Sequence, residues 1–147
     1  MKDLCIRNVH NTHEKQLALK ICDEAFLESI IKRKDYQNLF SKINKFAEFI
    51  VAYYRGELVG FSAMYANDKI DKTAYITLIA VRTEFQGIHI GEALIKKCEE
   101  IALKKEMVAI KLEVNKSNTR AISFYRKNGF DKLEDDTQTS FYMLKKL

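Results

Sequence analysis

The chain is poor in the residues that punctuate structure. Proline is absent from its 147 residues, glycine occurs five times and cysteine three times. Average usage would put proline near ~5% and glycine near ~7%, so collagen-like and low-complexity readings are excluded and each glycine becomes a marker. The cysteines, Cys5, Cys22 and Cys98, are odd in number and far apart, with no CxxC pair and no Cys/His ligand spacing. That excludes a disulfide framework or a zinc site and leads us to expect a reduced, cytoplasmic, metal-free protein. No apolar run approaches the ~20 residues of a membrane span, and Met1-Lys2-Asp3 opens no signal-peptide pattern. What is present is ordinary for a globular chain: 47% hydrophobic and 31% charged residues, with a net charge of +5. So mild a charge suits a small polyanionic ligand as well as nucleic acid. Nucleic acid is not expected, because no binding motif is present and the lysines are interleaved with glutamates on the same helices. With no linker or repeat, residues 1–147 read as one domain.

Alternation and periodicity outline the elements. Residues 4–9 alternate weakly as a first strand, and residues 14–40 turn helical, with Leu17, Ile21, Ala25 and then Ile30 and Ile31 near a 3.6 spacing. We expect two helices there, breaking around Lys34-Asp35. Residues 49–54 and 58–65 form a hairpin across Arg55-Gly56-Glu57, with Gly60 inside the second strand. After a turn at Asn67-Asp68-Lys69, residues 73–81 make the third strand of a meander. The grammar then changes. A Gly-bearing stretch at 86–91 opens an amphipathic helix whose stripe is Gly91, Leu94, Ile95, Cys98, Ile101 and Ala102. A strand follows at 108–114, then a helix at 119–127 started by Ser117 or Asn118 and stopped by Asn128-Gly129. Strands at 130–133 and 139–144 close the chain. A strand–helix–strand unit makes its two strands parallel. The expected fold is therefore α+β: a mixed sheet, antiparallel at both ends and parallel in the middle, with about four helices.

Two stretches carry chemistry. Gln86, Gly87, Ile88, His89, Ile90 and Gly91 lie between a strand and a helix, where unpaired N–H groups and the helix dipole attract phosphate. Gly87 lets a ligand approach the backbone, and Gly91 lets the helix pack closely on the sheet. Taken alone, the stretch also reads as a plain turn. It lacks the Gly-Lys-Ser/Thr of a Walker loop and has only two of the three glycines of a dinucleotide fingerprint. In the second stretch Asn118, Ala121 and Tyr125 share one helical face, polar, small and then phenolic. That pattern suits either an extended ligand or a simple cap beside a half-buried ring.

Together, about thirty residues apart across a parallel unit, the two stretches resemble the GNAT superfamily of acyl-CoA-dependent N-acetyltransferases. The family's pyrophosphate loop, Gln/Arg-x-x-Gly-x-Gly/Ala, is matched by Gln86 and Gly91 and framed by Ala80-Val81. The downstream LEVNKSNTRAISFYRKNGF is similar to the second motif of the ribosomal-protein N-terminal acetyltransferases. Two residues depart from the pattern: His89 replaces the first motif glycine, and Thr83 stands where many members have proline. As part of the first helical turn, His89 is expected to have an ordinary φ.

The resemblance implies acetyl-CoA in a V between the strands ending at Val81 and Val114. Its diphosphate would lie on the amides of 86–91, and its pantetheine on the backbone of Ile79, Ala80 and Val81 and beside Asn118, Ala121 and Tyr125. It implies a Val81 N–H for the thioester carbonyl, Tyr125 as the acid for the departing thiolate and Glu113 as the base for the amine. Glu113 also reads as a solvated strand-end carboxylate. Tyr75 and Thr77 are lesser candidates, and Glu84 reads as a surface charge. Tyr53, Tyr54, Tyr65, Asn67, Asp68, Phe141 and Tyr142 are candidates to line an acceptor cleft. The acceptor stays open among a protein N-terminus or lysine, an amino sugar and a polyamine, and a non-catalytic acyl-CoA-binding module is the alternative. The family's habit of pairing through the C-terminal strands makes a homodimer an expectation.

Overall fold

The computed structural model describes residues 2–147. The elements run β1 (Leu4–Asn8), α1 (Thr12–Cys22), a 3-10 turn (Asp23–Ala25), α2 (Tyr36–Phe46), β2 (Glu48–Tyr54), β3 (Glu57–Tyr65) and β4 (Thr73–Val81). A second 3-10 turn (Thr83–Phe85) leads to α3 (Ile90–Lys104), β5 (Ala109–Asn115), α4 (Thr119–Lys127), β6 (Asp131–Asp136) and β7 (Ser140–Lys146). The sheet order is β1-β2-β3-β4-β5-β7-β6, and every neighbouring pair is antiparallel except β4 with β5. This is the mixed α+β sheet expected from the pattern. Arg55 and Gly56, both at positive φ (51° and 79°), form the two-residue turn that matches the twist of the β2–β3 hairpin.

Each face of the sheet has its own core. On one side the α3 stripe of Leu94, Ile95, Cys98 and Ile101 meets Ile50, Ile76, Ile110 and Leu112. On the other, Leu19 and Cys22 of α1 and Phe40 and Ile43 of α2 cover Phe49, Val51, Phe61 and Leu78. Phe49 and Phe61 stack at 5.4 Å between centroids in that second core. Each such fully buried side chain contributes about 1.5–3 kcal/mol.

The helical reading of residues 14–40 needs two corrections. First, α1 buries Lys15, Ala18, Leu19 and Cys22, leaving Leu17 41% exposed. Lys15 enters because its ammonium donates to the Asn44 carbonyl near the end of α2 (3.1 Å). Second, the chain between Ala25 and Tyr36 is not α-helix, and α2 runs on to Phe46. The cause is Asp23. Its carboxylate accepts from the Ser29 hydroxyl (2.6 Å) and from the backbone N–H groups of Ile30 (2.8 Å) and Ile31 (3.2 Å), folding the chain back on itself. Burial pushes the Asp23 carboxyl up, but these bonds outweigh it and hold the group below its ordinary range.

Candidate active site

The site begins where β4 and β5 part. Their parallel register pairs Thr73 with Ala109 through Ile76 with Leu112 and then stops. Beyond it, β4 pairs only with β3 and β5 only with β7. The parting coincides with a β-bulge. Ala63 pairs with Leu78 and Met64 with Ile76, leaving Thr77 as the extra residue. The bulge also exchanges faces: Ala74 and Ile76 lie in the α3 core, Leu78 and Ala80 in the α1/α2 core.

Backbone alternation then decides which groups face the opening. Gly60 pairs with Val81, and the Arg82 N–H donates to the Val59 carbonyl (2.8 Å). Val81 and Ile79 therefore turn their N–H and C=O away from β3, toward the parting, while Ala80 turns its own toward Phe61. Ala80 thus lends framing, not backbone hydrogen bonds, to the opening. The Gln86 side chain crosses back and donates to the Val81 carbonyl (2.9 Å), anchoring the loop to the strand end and leaving the Val81 N–H as a free donor.

The loop runs from that anchor into α3. Gly87 has φ +84° and open space where a Cβ would stand. Asn11 and Asn118 cap α1 and α4 with side-chain bonds, but no side chain caps α3, so its first N–H groups stay available. His89 departs from expectation: its φ is 71°, the left-handed region, because it is the residue before the helix and not part of its first turn. Gly91 also differs. A Cβ there would come within 2.9 Å of the Phe124 ring, so this glycine admits α4, not the sheet.

Thr83 is explained by its bonds. Its N–H (3.0 Å) and hydroxyl (2.5 Å) both donate to the Glu24 carboxylate, a contact proline would forfeit. The Thr83 bonds hold Glu24 below the ordinary carboxylate range. Glu84 pairs with Arg82 at 2.8 Å, in keeping with a surface charge.

Tyr125 and Glu113 stand on opposite faces of the opening. Tyr125 packs on the α3 core, its ring against Phe124 (5.5 Å) and Phe130 (5.8 Å). Burial pushes its phenol well above the ordinary tyrosine range. Ala121 lies one turn earlier on the same core, and the Asn118 side-chain oxygen is spent on the Ala121 N–H (3.2 Å). Glu113 is exposed between the buried Leu112 and Val114, so it points to the other face, in register with Tyr142. Tyr75 shares that face. Its phenol is pushed up to about 12 by burial, then by the Glu113 charge and Tyr142.

An open cleft of about 380 Å³ continues along this face, lined by Asp68, Asp71, Thr73, Tyr75, Lys111 and Leu144. The Lys111 ammonium lies 4.6 Å over the Tyr142 ring. Of the other acceptor candidates, Tyr65 has a buried hydroxyl without a partner. Tyr53 bonds Glu14 (2.5 Å), Tyr54 packs on Phe85 (6.3 Å) and Phe141 sits beneath Lys116 and Lys132, all away from this cleft. The bulge and the Tyr75–Glu113 proximity had no signal in the sequence. Among the described residues no cluster could hold a metal ion, and no helix is long and apolar enough to cross a membrane.

Residues 15–130 match the acetyltransferase (GNAT) family. The chain belongs to that family. It is thus an acetyl-CoA-dependent N-acetyltransferase, and the family match favours an enzyme over a binding module. It is 31% identical over 132 residues to the spermidine N(1)-acetyltransferase of Thermoplasma acidophilum, covering 86% of this chain and 80% of that one. Its fold superposes with a TM-score of 0.81 on the PaiA N-acetyltransferase of Thermoplasma acidophilum in complex with coenzyme A, at 23% identity over 98% and 99% of the two chains. The ribosomal-protein-S18-alanine N-acetyltransferase of Escherichia coli superposes at 0.79, with 19% identity over 97% and 93%.

Proposed function

We propose that this GNAT enzyme acetylates a polyamine-like primary amine by direct attack in a ternary complex. The observation that carries the reading is the parting of β4 and β5, with a half-buried phenol on one face and an exposed carboxylate on the other. Acetyl-CoA supplies the acetyl group as an activated thioester. The Ile79 and Val81 backbone groups would hold its amide-rich arm as an added strand is held. The amides from Gln86 through Gly87, Ile88, His89 and Ile90 to Gly91 would hold its diphosphate, with Asn118, Ala121 and Tyr125 along the arm's other side. The Val81 N–H polarises the carbonyl, Glu113 takes the proton from an amine arriving on its own face, and Tyr125 protonates the sulfur on the opposite face.

The acceptor choice rests on the cleft that shares the Glu113 face. There the Asp68 and Asp71 carboxylates and the Tyr75 ring suit an amine with a second positive charge, with Lys111 of the same cleft drawn over the Tyr142 ring. The spermidine-acetylating relative supports the same choice. Three free thiols fit a reducing cytoplasm, and the edge strand β6 offers a surface through which two copies would pair.

The test combines thermal shift with mass spectrometry. Acetyl-CoA at 100 times its Kd should stabilise the protein by about 2.7 kcal/mol, and Gly87→Glu should abolish the shift. Spermidine, an alanine-terminated peptide and an amino sugar are then offered with acetyl-CoA. Acetylated spermidine supports the reading. An acetylated peptide or sugar with spermidine untouched overturns the polyamine choice, and no shift with acetyl-CoA overturns the site.

A further inference from the structure

At the end of the sheet away from β5, β1 pairs with β2 alone among the described residues. The Val9 N–H donates to the Phe49 carbonyl (2.8 Å), and the Arg55 N–H donates to the Asp3 carbonyl (3.0 Å). Alternation between these two bonds gives Cys5 and Arg7 to β2 and turns the N–H and C=O of Leu4, Ile6 and Asn8 outward. A groove of about 390 Å³ runs beside that row. It lies on the α3 face, where Ile6 of β1 meets Ile101, and Lys97, Lys104 and Lys105 line it with Glu48 as their counter-charge. Lys97 reaches Glu100 only at 3.4 Å and Lys105 reaches Glu48 only at 4.0 Å, both long for a charge-assisted bond. Arg7 borders the groove, but Glu14 of α1 holds its guanidinium at 2.8 Å. The Asn8 side-chain oxygen is buried here with no hydrogen-bond partner among the described residues, a further acceptor without a donor.

We infer that this edge binds an extended acidic segment of another protein as an added strand, its carboxylates laid against Lys97, Lys104 and Lys105. The backbone row selects a peptide. Leu4, Ile6 and Asn8 present donors and acceptors together, and a peptide main chain supplies both, whereas phosphate groups only accept. The lysines select its sign. An added strand sends alternate side chains to the α3 face, so acidic residues at every second position meet the ammonium groups. The same lysines repel the β1 edge of a second copy. The acidic edge strand β6 has its register with β7 broken between Lys132 and Asp136, so it offers β1 no unbroken row to match. Two strands separate β1 from β4, which puts the groove about 14 Å from the acetyl-transfer opening. An occupant of the edge therefore leaves that opening clear, and the inference does not depend on the reading of it.

The probe is a blocked nonapeptide alternating glutamate with threonine, followed by calorimetry and by amide hydrogen exchange. On binding, the Leu4, Ile6 and Asn8 amides should exchange more slowly, while those of Arg7 and Val9, already bonded to β2, should hardly change. Added salt should weaken the complex, and the lysine–threonine counterpart should not bind. The same acidic peptide N-methylated throughout keeps its charge but loses its main-chain donors, and it should not bind either. Lys104→Glu combined with Lys105→Glu should weaken binding about 10-fold, with the acetyl-CoA thermal shift retained as the check on folding. Undiminished binding of the N-methylated peptide, or undiminished binding by the double variant, overturns the assignment. So does unchanged exchange at Leu4, Ile6 and Asn8. A single-stranded oligonucleotide that binds where the peptide does not overturns it in favour of nucleic acid. Self-association that protects the same amides overturns it in favour of a second copy.

Discussion

Replacing Tyr125 by phenylalanine removes one oxygen from a ring held between Phe124 and Phe130, at 5.5 and 5.8 Å between centroids. The change keeps the ring and its edge-on packing and takes away only the hydroxyl. Stability should therefore stay within about 0.5 kcal/mol of the parent. Catalysis should not. A positioned acid is worth ~10²–10⁴-fold, which at 1.36 kcal/mol per decade is about 2.7–5.5 kcal/mol of barrier. Burial keeps the phenol protonated well past neutrality, so the deficit should be the same at pH 6.5 and pH 8.5. Steady-state kcat with acetyl-CoA and spermidine measures the loss, and calorimetry shows whether coenzyme A affinity is retained. A variant turning over within about threefold of the parent would show the hydroxyl is not the acid. A variant that loses coenzyme A binding together with kcat would show that the oxygen positions the substrate instead.

Four further outcomes are expected. Glu113→Gln should lower kcat at pH 7 by about 10²-fold and recover as pH rises, its effect combining less than additively with Tyr125→Phe; a pH–rate profile parallel to the parent's would remove Glu113 as the base. Gly60→Ala would place a Cβ 2.9 Å from the Ala80 carbonyl, and chemical denaturation should show a loss of about 1–3 kcal/mol. Thr83→Pro removes both donors to Glu24 and should cost about 1 kcal/mol at pH 7, discounted for exposure. Because the folded Glu24 lies below its unfolded range, that difference should be full above the unfolded carboxylate pKa and vanish as pH falls through the folded one, a shrinking Tm gap in acid. His89→Gly should raise stability by about 0.5–1 kcal/mol through relief at φ 71°, and an unchanged or lower Tm would show no strain is held there.

The elements with short-range signals were legible before the structure. The segment 73–81 follows a turn as the third strand of a meander, and α4 begins at a capping Asn118 and ends before Gly129, so both have the bounds expected. Asp23 was not legible, because its three partners lie six to eight residues ahead and outweigh the apolar spacing of Ile30 and Ile31. Neither was the bulge at Thr77. Buried and half-buried residues still alternate along β4 as they would in a regular strand, while the core receiving them changes from one face to the other. Register and face are tertiary properties, and hydrophobic alternation does not encode them. The site followed the same division. The family resemblance implied that Tyr125 and Glu113 lie near one opening, but only the sheet showed that they flank it from opposite sides.

That arrangement joins stability to binding. A regular sheet would carry the β4–β5 ladder past Ile76 and Leu112, whereas here Ile79 and Val81 turn backbone groups to an opening with no strand across it. Those groups forgo the ladder bonds of a closed pair, each worth about 0.5–1.5 kcal/mol, and the Gln86 side chain replaces one of them at the Val81 carbonyl. On the proposed reading, a ligand rich in amides would pair with the remaining groups, whose directions the folded chain has already set, without requiring the strands to move. Thr77 is what permits it: one extra residue re-aims β4, so that Leu78 and Ala80 stay buried under α1 and α2 while the neighbouring backbone faces the opening.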